Sequence, residues 1–186
     1  MFRNRPKITS DAVWPCEGLI CDCGRISDFT ITTIKGQRYN VLSIYGKNND
    51  EIPDHYHFAN IFLHNSNYHR IHSPVSAKIT RIEHVPGDLV LLRPWAYKTA
   101  PSLPAFRNER INVDLVPETG EPWYVSIVGG PTVGLIAVRP EITLESPLTI
   151  GDEIATFLLG STCCIACPKR LDIFSVGDSI RVGDAI

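Results

Sequence analysis

The sequence predicts a mainly β fold, a compact barrel-sandwich of short, mostly antiparallel strands with few short helices. Three observations carry that expectation. The 186 residues include 13 Gly and 14 Pro, which favours frequent turns. Short stretches rich in β-branched and aromatic residues recur between Gly, Pro, Asn and Asp. No stretch sustains the 3.6-residue apolar period of an amphipathic helix.

Taken in order, the first ten residues read as a loose polar arm. Strands are expected at Ile26–Ile34, Arg38–Ile44, His57–Leu63, Ala77–His84, Leu89–Leu92, Ile111–Val116, Trp123–Val128, Val133–Val138, Glu153–Leu158 and Cys163–Cys167. A short helix fits Ile52–Phe58 or Ser66–His72. A Gly-Asp pair between apolar residues recurs in Val85-Pro-Gly-Asp-Leu89, Ile150-Gly-Asp-Glu-Ile154, Val176-Gly-Asp-Ser-Ile180 and Val182-Gly-Asp-Ala-Ile186. Gly reaches positive φ cheaply and Asp bonds nearby backbone, so these are read as tight turns. Arg93–Asn108 is the longest irregular stretch. Nothing marks a linker, so one domain over residues 1–186 is expected.

Composition excludes several classes. With 44% hydrophobic and 20% charged residues the chain is globular rather than disordered. A formal net charge of −2 argues against a nucleic-acid partner, which needs a dense cationic surface. No apolar run reaches the roughly 20 residues of a transmembrane helix. No apolar segment follows the basic start, so neither a signal peptide nor an anchor is expected. A cytoplasmic location follows, with peripheral membrane contact left open. The six cysteines (Cys16, Cys21, Cys23, Cys163, Cys164, Cys167) then read as reduced thiols. Their single C-x-x-C lies in an apolar strand, and no metal is expected.

Three patches carry chemistry. Tyr68-His69-Arg70-Ile71-His72-Ser73-Pro74 places two imidazoles and a guanidinium within a few residues. Histidine serves as a general base near neutral pH, and arginine holds a carboxylate or phosphate. Phe157-Leu158-Leu159-Gly160-Ser161-Thr162-Cys163 puts hydroxyls behind a Gly, where a strained turn exposes a carbonyl to its neighbour's hydroxyl. Pro15-Cys16-Glu17-Gly18 offers a carboxylate beside a turn, able to orient a histidine. Alone, each also fits an ordinary polar loop.

Together and in this order they resemble the phosphatidylserine decarboxylase family, over most of the chain. The family's Pro-x-Asp-Gly is matched at Pro15–Gly18, with Glu17 in place of Asp. Its Tyr-His-Arg-x-His-x-Pro is matched at Tyr68–Pro74 and its Val-Pro-Gly-Asp-Leu at Val85–Leu89. Its Asn-Glu-Arg falls at Asn108–Arg110, a Val-Gly-x-x-x-Val-Gly segment at Val128–Gly134, and its Leu-Gly-Ser-Thr at Leu159–Thr162.

The resemblance implies a proenzyme that cuts itself between Gly160 and Ser161. The products would be a β chain of residues 1–160 and an α chain of residues 161–186, which stay associated. Ser161 Oγ would attack the Gly160 carbonyl, with His72 taking its proton and Glu17 orienting His72. Elimination and hydrolysis would then leave a pyruvoyl group made from Ser161, with no metal. Its ketone would capture a substrate amine as a Schiff base and act as electron sink for loss of CO2. His69 would serve the decarboxylation, donating the proton that quenches the carbanion. Arg70, Arg110, Thr162 and Cys163 are candidate substrate contacts, although Arg110 equally fits a pairing with Glu109 or another acid of the fold.

Glu17 is one methylene longer than the usual Asp. A Glu can still accept from an imidazole N–H, at the risk of slower cleavage. With only polar residues ahead of Pro15, a soluble amino acid or serine-derived metabolite is the expected substrate, and phosphatidylserine the alternative. A homodimer is compatible with the sequence. An unprocessed binding module of the same fold and a Cys/His zinc protein are the readings from other classes.

Overall fold

The computed structural model describes residues 7–8, 10–29, 32–34, 37–97, 100–130, 136–158 and 161–186. The strands are β1 (Gly18–Arg25), β2 (Thr32–Ile34), β3 (Gln37–Tyr39), β4 (His57–Leu63), β5 (Arg70–His72), β6 (Ala77–Val85), β7 (Arg110–Val116), β8 (Trp123–Gly129), β9 (Ile136–Val138), β10 (Pro147–Leu148), β11 (Glu153–Phe157), β12 (Ser161–Cys167) and β13 (Ser179–Ile180). One short helix, α1 (Leu103–Arg107), and 3-10 turns at Ile26–Asp28, Val41–Ile44 and Pro94–Tyr97 complete the described elements. The mainly β expectation holds.

Eight strands form one antiparallel sheet in the order β10-β6-β7-β8-β12-β4-β1-β13. A three-stranded sheet, β5-β11-β9, and the β2-β3 hairpin stand beside it. The sheets layer like a sandwich; among the described residues the large sheet does not close on itself, because β10 and β13 are its two ends.

Strand β12 sits mid-sheet, matched to β4 from Ser161↔Leu63 to Cys167↔His57 and to β8 from Ser161↔Gly129 to Ala166↔Tyr124. It is buried on both faces, which explains its unbroken apolar run. Cys163, Ile165 and Cys167 face the main core, where Ile71, Ile154, Ala155 and Phe157 of the small sheet pack with Trp14. Cys164 and Ala166 face a second cluster, built from Leu42, Ile44, Tyr45, Tyr56 and Ala105. Ile165 and Ile61 are fully buried, and each such side chain contributes about 1.5–3 kcal/mol by leaving water.

Three of the Gly-Asp motifs form one turn. Gly151, Gly177 and Gly183 have φ of 82°, 97° and 87°. The Asp after each accepts a backbone N–H three residues back: Thr149 to Asp152, Ser175 to Asp178, Arg181 to Asp184. Gly87 differs, because a Cβ there would lie 2.4 Å from the Arg107 carbonyl oxygen. Its role is close approach of two backbones.

Several expectations are corrected. Strand β1 was not foreseen: a bulge between Ile20 and Asp22 breaks the alternation and buries Ile20 and Cys21 in succession. Ile26 begins a 3-10 turn, and among the described residues of that stretch Thr32–Ile34 is strand, with residues 30–31 outside them. Val41–Ile44 is a 3-10 turn because Asn40 accepts the Leu42 N–H and ends β3. Leu89–Leu92 forms no strand, and Val90 bonds the Asn108 side chain rather than a neighbouring strand. Neither Ile52–Phe58 nor Ser66–His72 is helical; both are turns running into β4 and β5. The irregular stretch after Arg93 holds a 3-10 turn and α1. Most of the expected polar arm, residues 131–134 of the Val128–Gly134 segment, residues 133–135 of the expected Val133–Val138 strand, and Leu159–Gly160 lie outside the described residues.

Candidate active site

The His-Arg-His motif belongs to the small sheet and Ser161 to the large one: strand β11 lies in the first and β12 in the second. The expected scissile bond immediately precedes β12, with Gly160 outside the described residues. Ser161 opens β12, its backbone registered between Leu63 and Gly129.

The His-Arg-His motif is brought alongside by β5, which pairs with β11 at Glu153↔His72 and Thr156↔Arg70. The Phe157 N–H donates to the His69 carbonyl (2.8 Å). Alternation along β5 sends Ile71 into the core and leaves Arg70 and His72 on a cleft of about 530 Å3, shared with Tyr68, Arg139, Asp152 and Glu153. The Pro15–Gly18 motif abuts the same strand, because the His72 N–H donates to the Pro15 carbonyl (2.8 Å).

His72 is 3% exposed and held at both ring nitrogens. Nδ1 lies 2.8 Å from the Gly151 carbonyl oxygen and Nε2 lies 3.2 Å from the Tyr68 hydroxyl. A carbonyl only accepts, so Nδ1 carries the proton, and in the neutral ring Nε2 is the basic nitrogen receiving the Tyr68 O–H. The two rings stack at 5.6 Å between centroids, 22° from parallel. The second histidine has the same polarity: His69 Nδ1 lies 2.8 Å from the Asn67 carbonyl oxygen. Asn67 in turn donates from Nδ2 to Glu17 (3.1 Å) and accepts the His64 N–H at Oδ1 (2.7 Å). Glu17 thus stands at the histidine corner, bonded to Asn67.

The remaining candidates separate. Arg70 bonds Glu153 at 2.5 Å, and Arg139 approaches the same carboxylate at 3.8 Å. Burial pushes the Glu153 carboxyl up, but Arg70, Thr156 and Arg139 outweigh it and hold the group below the usual carboxylate range. Arg110 is 7% exposed and donates to the carbonyls of Ile44 (2.7 Å), Asn108 and Ser43 (3.3 Å each). It ties β7 to the 3-10 turn, while Glu109 pairs with His84 (2.6 Å) instead. Thr162 is buried, and Cys163 lies in the main core. Burial pushes the thiol of Cys16 well up, with Cys163 beside it adding to the effect, and lifts Cys167 to about 12. No group of three metal-ligating side chains occurs among the described residues.

A second cleft of about 360 Å3 lies on the other side of the Asn67 turn, lined by Glu17, Leu19, Phe62, His64, Trp95 and Arg181. Phe62 is registered with Thr162, so this cleft borders the beginning of β12. Sequence reasoning missed Asn67, Gly151 and Glu153. The Gly-Asp turn was visible, but not that its carbonyl would meet an imidazole from a distant strand.

The family profile for phosphatidylserine decarboxylase matches residues 2–186. A phosphatidylserine decarboxylase proenzyme of Azoarcus sp. is 33% identical over 183 residues, covering 89% of this chain and 63% of its own length. Proenzymes of the same name from Polaromonas naphthalenivorans and Nitrosospira multiformis are each 31% identical, covering 98% and 100% of this chain and 71% and 72% of theirs. The chain therefore spans roughly two thirds of the length of these curated relatives. A match over nearly the whole chain places the protein in the phosphatidylserine decarboxylase family, a family of decarboxylases made as proenzymes.

Proposed function

We propose that this chain is a self-cleaving, pyruvoyl-dependent carboxy-lyase that converts phosphatidylserine to phosphatidylethanolamine and CO2. The three relatives named above are phosphatidylserine decarboxylase proenzymes, and this favours the phospholipid over the free amino acid expected from the polar start. The observation that carries the lipid reading on the chain itself is the second cleft. It sets the apolar surfaces of Leu19, Phe62 and Trp95 beside the start of β12, with Arg181 at the rim. A free amino acid has no use for such a wall.

The residues suit the chemistry. Ser161 is both nucleophile and precursor of the cofactor, so no external group is needed. His72 Nε2, made basic by the Gly151 carbonyl on Nδ1, takes the Ser161 proton as Oγ attacks the Gly160 carbonyl carbon. The amide becomes an ester. Loss of the residue 161 Cα proton with cleavage of the Cβ–O bond then releases residues 1–160 with a carboxyl end and leaves dehydroalanine, whose hydrolysis takes up one water and releases the residue 161 nitrogen as ammonia to give the ketone. That pyruvoyl group supplies an electron sink for the carbon that loses CO2. His69, its Nδ1 held by the Asn67 carbonyl, presents Nε2 to return a proton to that carbon. Glu17 supports both histidines as a positioning residue. It stands in the motif whose Pro15 carbonyl fixes the His72 backbone and bonds the Asn67 that orients His69. Arg70, held by Glu153 over the polar cleft, is placed to meet a substrate anion.

The test is CO2 release from carboxyl-labelled substrates offered side by side. Phosphatidylserine in mixed micelles should be decarboxylated, and free serine and other amino acids should not. Release from a free amino acid with none from the lipid would overturn the reading.

A further inference from the structure

The three tryptophans differ in setting. Trp14 and Trp123 are buried, but Trp95 is 56% exposed. It belongs to a segment, residues 89–95, whose outward side chains are unusually apolar: Leu89 and Leu91 are 40% and 45% exposed. The display is built. Asn108, fully buried, receives the Val90 N–H at Oδ1 (2.9 Å) and donates from Nδ2 to the Val90 carbonyl (2.8 Å). That ties the backbone at Val90 in place, with Leu92 buried against the second core cluster and Leu89 and Leu91 exposed. At the near end Asp88 is clamped by Arg107 (2.6 Å). At the far end Trp95 packs edge-on against Phe62 (5.8 Å) with the Arg93 guanidinium 5.5 Å from its ring centroid.

The segment is also registered to the reaction centre. The same Asn108 amide donates to the Gly129 carbonyl (2.9 Å), and Gly129 pairs directly with Ser161. Exposed apolar groups carried on so firm a backbone need a partner, because water solvates them at a cost. The charges beside them indicate which. Arg93 lies on the segment and Arg181 lines the cleft that Trp95 shares with Leu19, while Asp88 is paired with Arg107. Exposed leucines and a tryptophan with two arginines beside them match the interfacial zone of a bilayer that contains anionic lipid.

We propose that residues 89–95 are a bilayer-docking loop: Leu89, Leu91 and Trp95 enter the headgroup–acyl boundary, Arg93 and Arg181 meet lipid anions, and the start of β12 is thereby set at the membrane surface. The substrate reading above gives this docking its purpose, although vesicle binding can be measured without turnover.

The self-processed protein is mixed with phosphatidylcholine vesicles containing phosphatidylserine, with or without bromine on the acyl chains, and Trp95 serves as the exposed fluorophore. The brominated lipid should quench the emission, and phosphatidylcholine alone should bind more weakly. A Leu89→Ser/Leu91→Ser double variant should lose about tenfold or more in vesicle affinity, yet decarboxylate monomeric short-chain phosphatidylserine at the wild-type rate. Unquenched wild-type emission, or unchanged affinity in a folded double variant, would overturn the proposal. Quenching without CO2 release would instead remove the substrate reading and leave the docking loop standing.

Discussion

Gly151 does for His72 what a carboxylate does in many hydrolytic triads. By accepting from Nδ1 it fixes the tautomer, and Nε2 is left basic without any net charge nearby being required. The two histidines are then distinguished by their partners: His72 by Gly151 and Tyr68, His69 by Asn67. His72→Ala should therefore remain a single uncut chain. His69→Ala should cut normally and lose turnover by about 100-fold or more, the usual worth of a positioned proton donor. Denaturing gels and CO2 release read the two effects separately, and normal cutting by the His72 variant would mean the roles are exchanged. Much of this corner was legible in the sequence, because Tyr68–Pro74 and Leu159–Thr162 are short contiguous runs whose chemistry survives without coordinates. Gly151 and Asn67 were not legible. Each meets its histidine through a backbone carbonyl, and a carbonyl has no side-chain signature.

An ion pair between two strands of the small sheet helps hold this corner together. Arg70 on β5 and Glu153 on β11 join the strand that bears the histidines to the strand that leads to the cleavage site. The folded pKa of Glu153 lies below its unfolded value, so its contribution is present above about pH 4.5, the unfolded value, and is lost as pH falls through the lowered one. Arg70 is more than a third exposed, which discounts the pair to about 1 kcal/mol. Glu153→Gln should lower the melting temperature by about 2–4 °C at pH 7 and by progressively less toward pH 3. An undiminished difference in acid would contradict that assignment. At this scale the sequence spoke unevenly. Central strands such as β4, β8 and β12 are read directly from apolar runs. The β1 bulge and the Asn40-capped turn escape, since each depends on a local register break or cap that outweighs strand propensity.

For the whole molecule, the position of β12 decides what cleavage does. The expected shorter fragment, residues 161–186, begins with a strand hydrogen-bonded on both sides and ends with β13 against β1. Ile165, Cys163 and Cys167 remain sealed in the core. Breaking one peptide bond ahead of β12 leaves those contacts intact, so the two fragments should co-elute in native size-exclusion chromatography and separate only in denaturant. Spontaneous separation in native buffer would show that the sheet does not hold them. The layered arrangement itself was legible as a β fold of short strands, but not the order of its strands: β12 pairs with strands about 100 and 35 residues earlier in the chain, and such long-range register leaves no local trace.

The central claim is that the backbone opens before residue 161 and that this residue loses its nitrogen. Intact-mass analysis of the purified wild-type protein beside Ser161→Ala tests it most directly. The account predicts two masses for the wild type, residues 1–160 with a free carboxyl end and residues 161–186 with a ketone that reacts with hydroxylamine, and one full-length mass for the variant. A folded wild-type protein that keeps its full-length mass on prolonged incubation and does not react with hydroxylamine would contradict it.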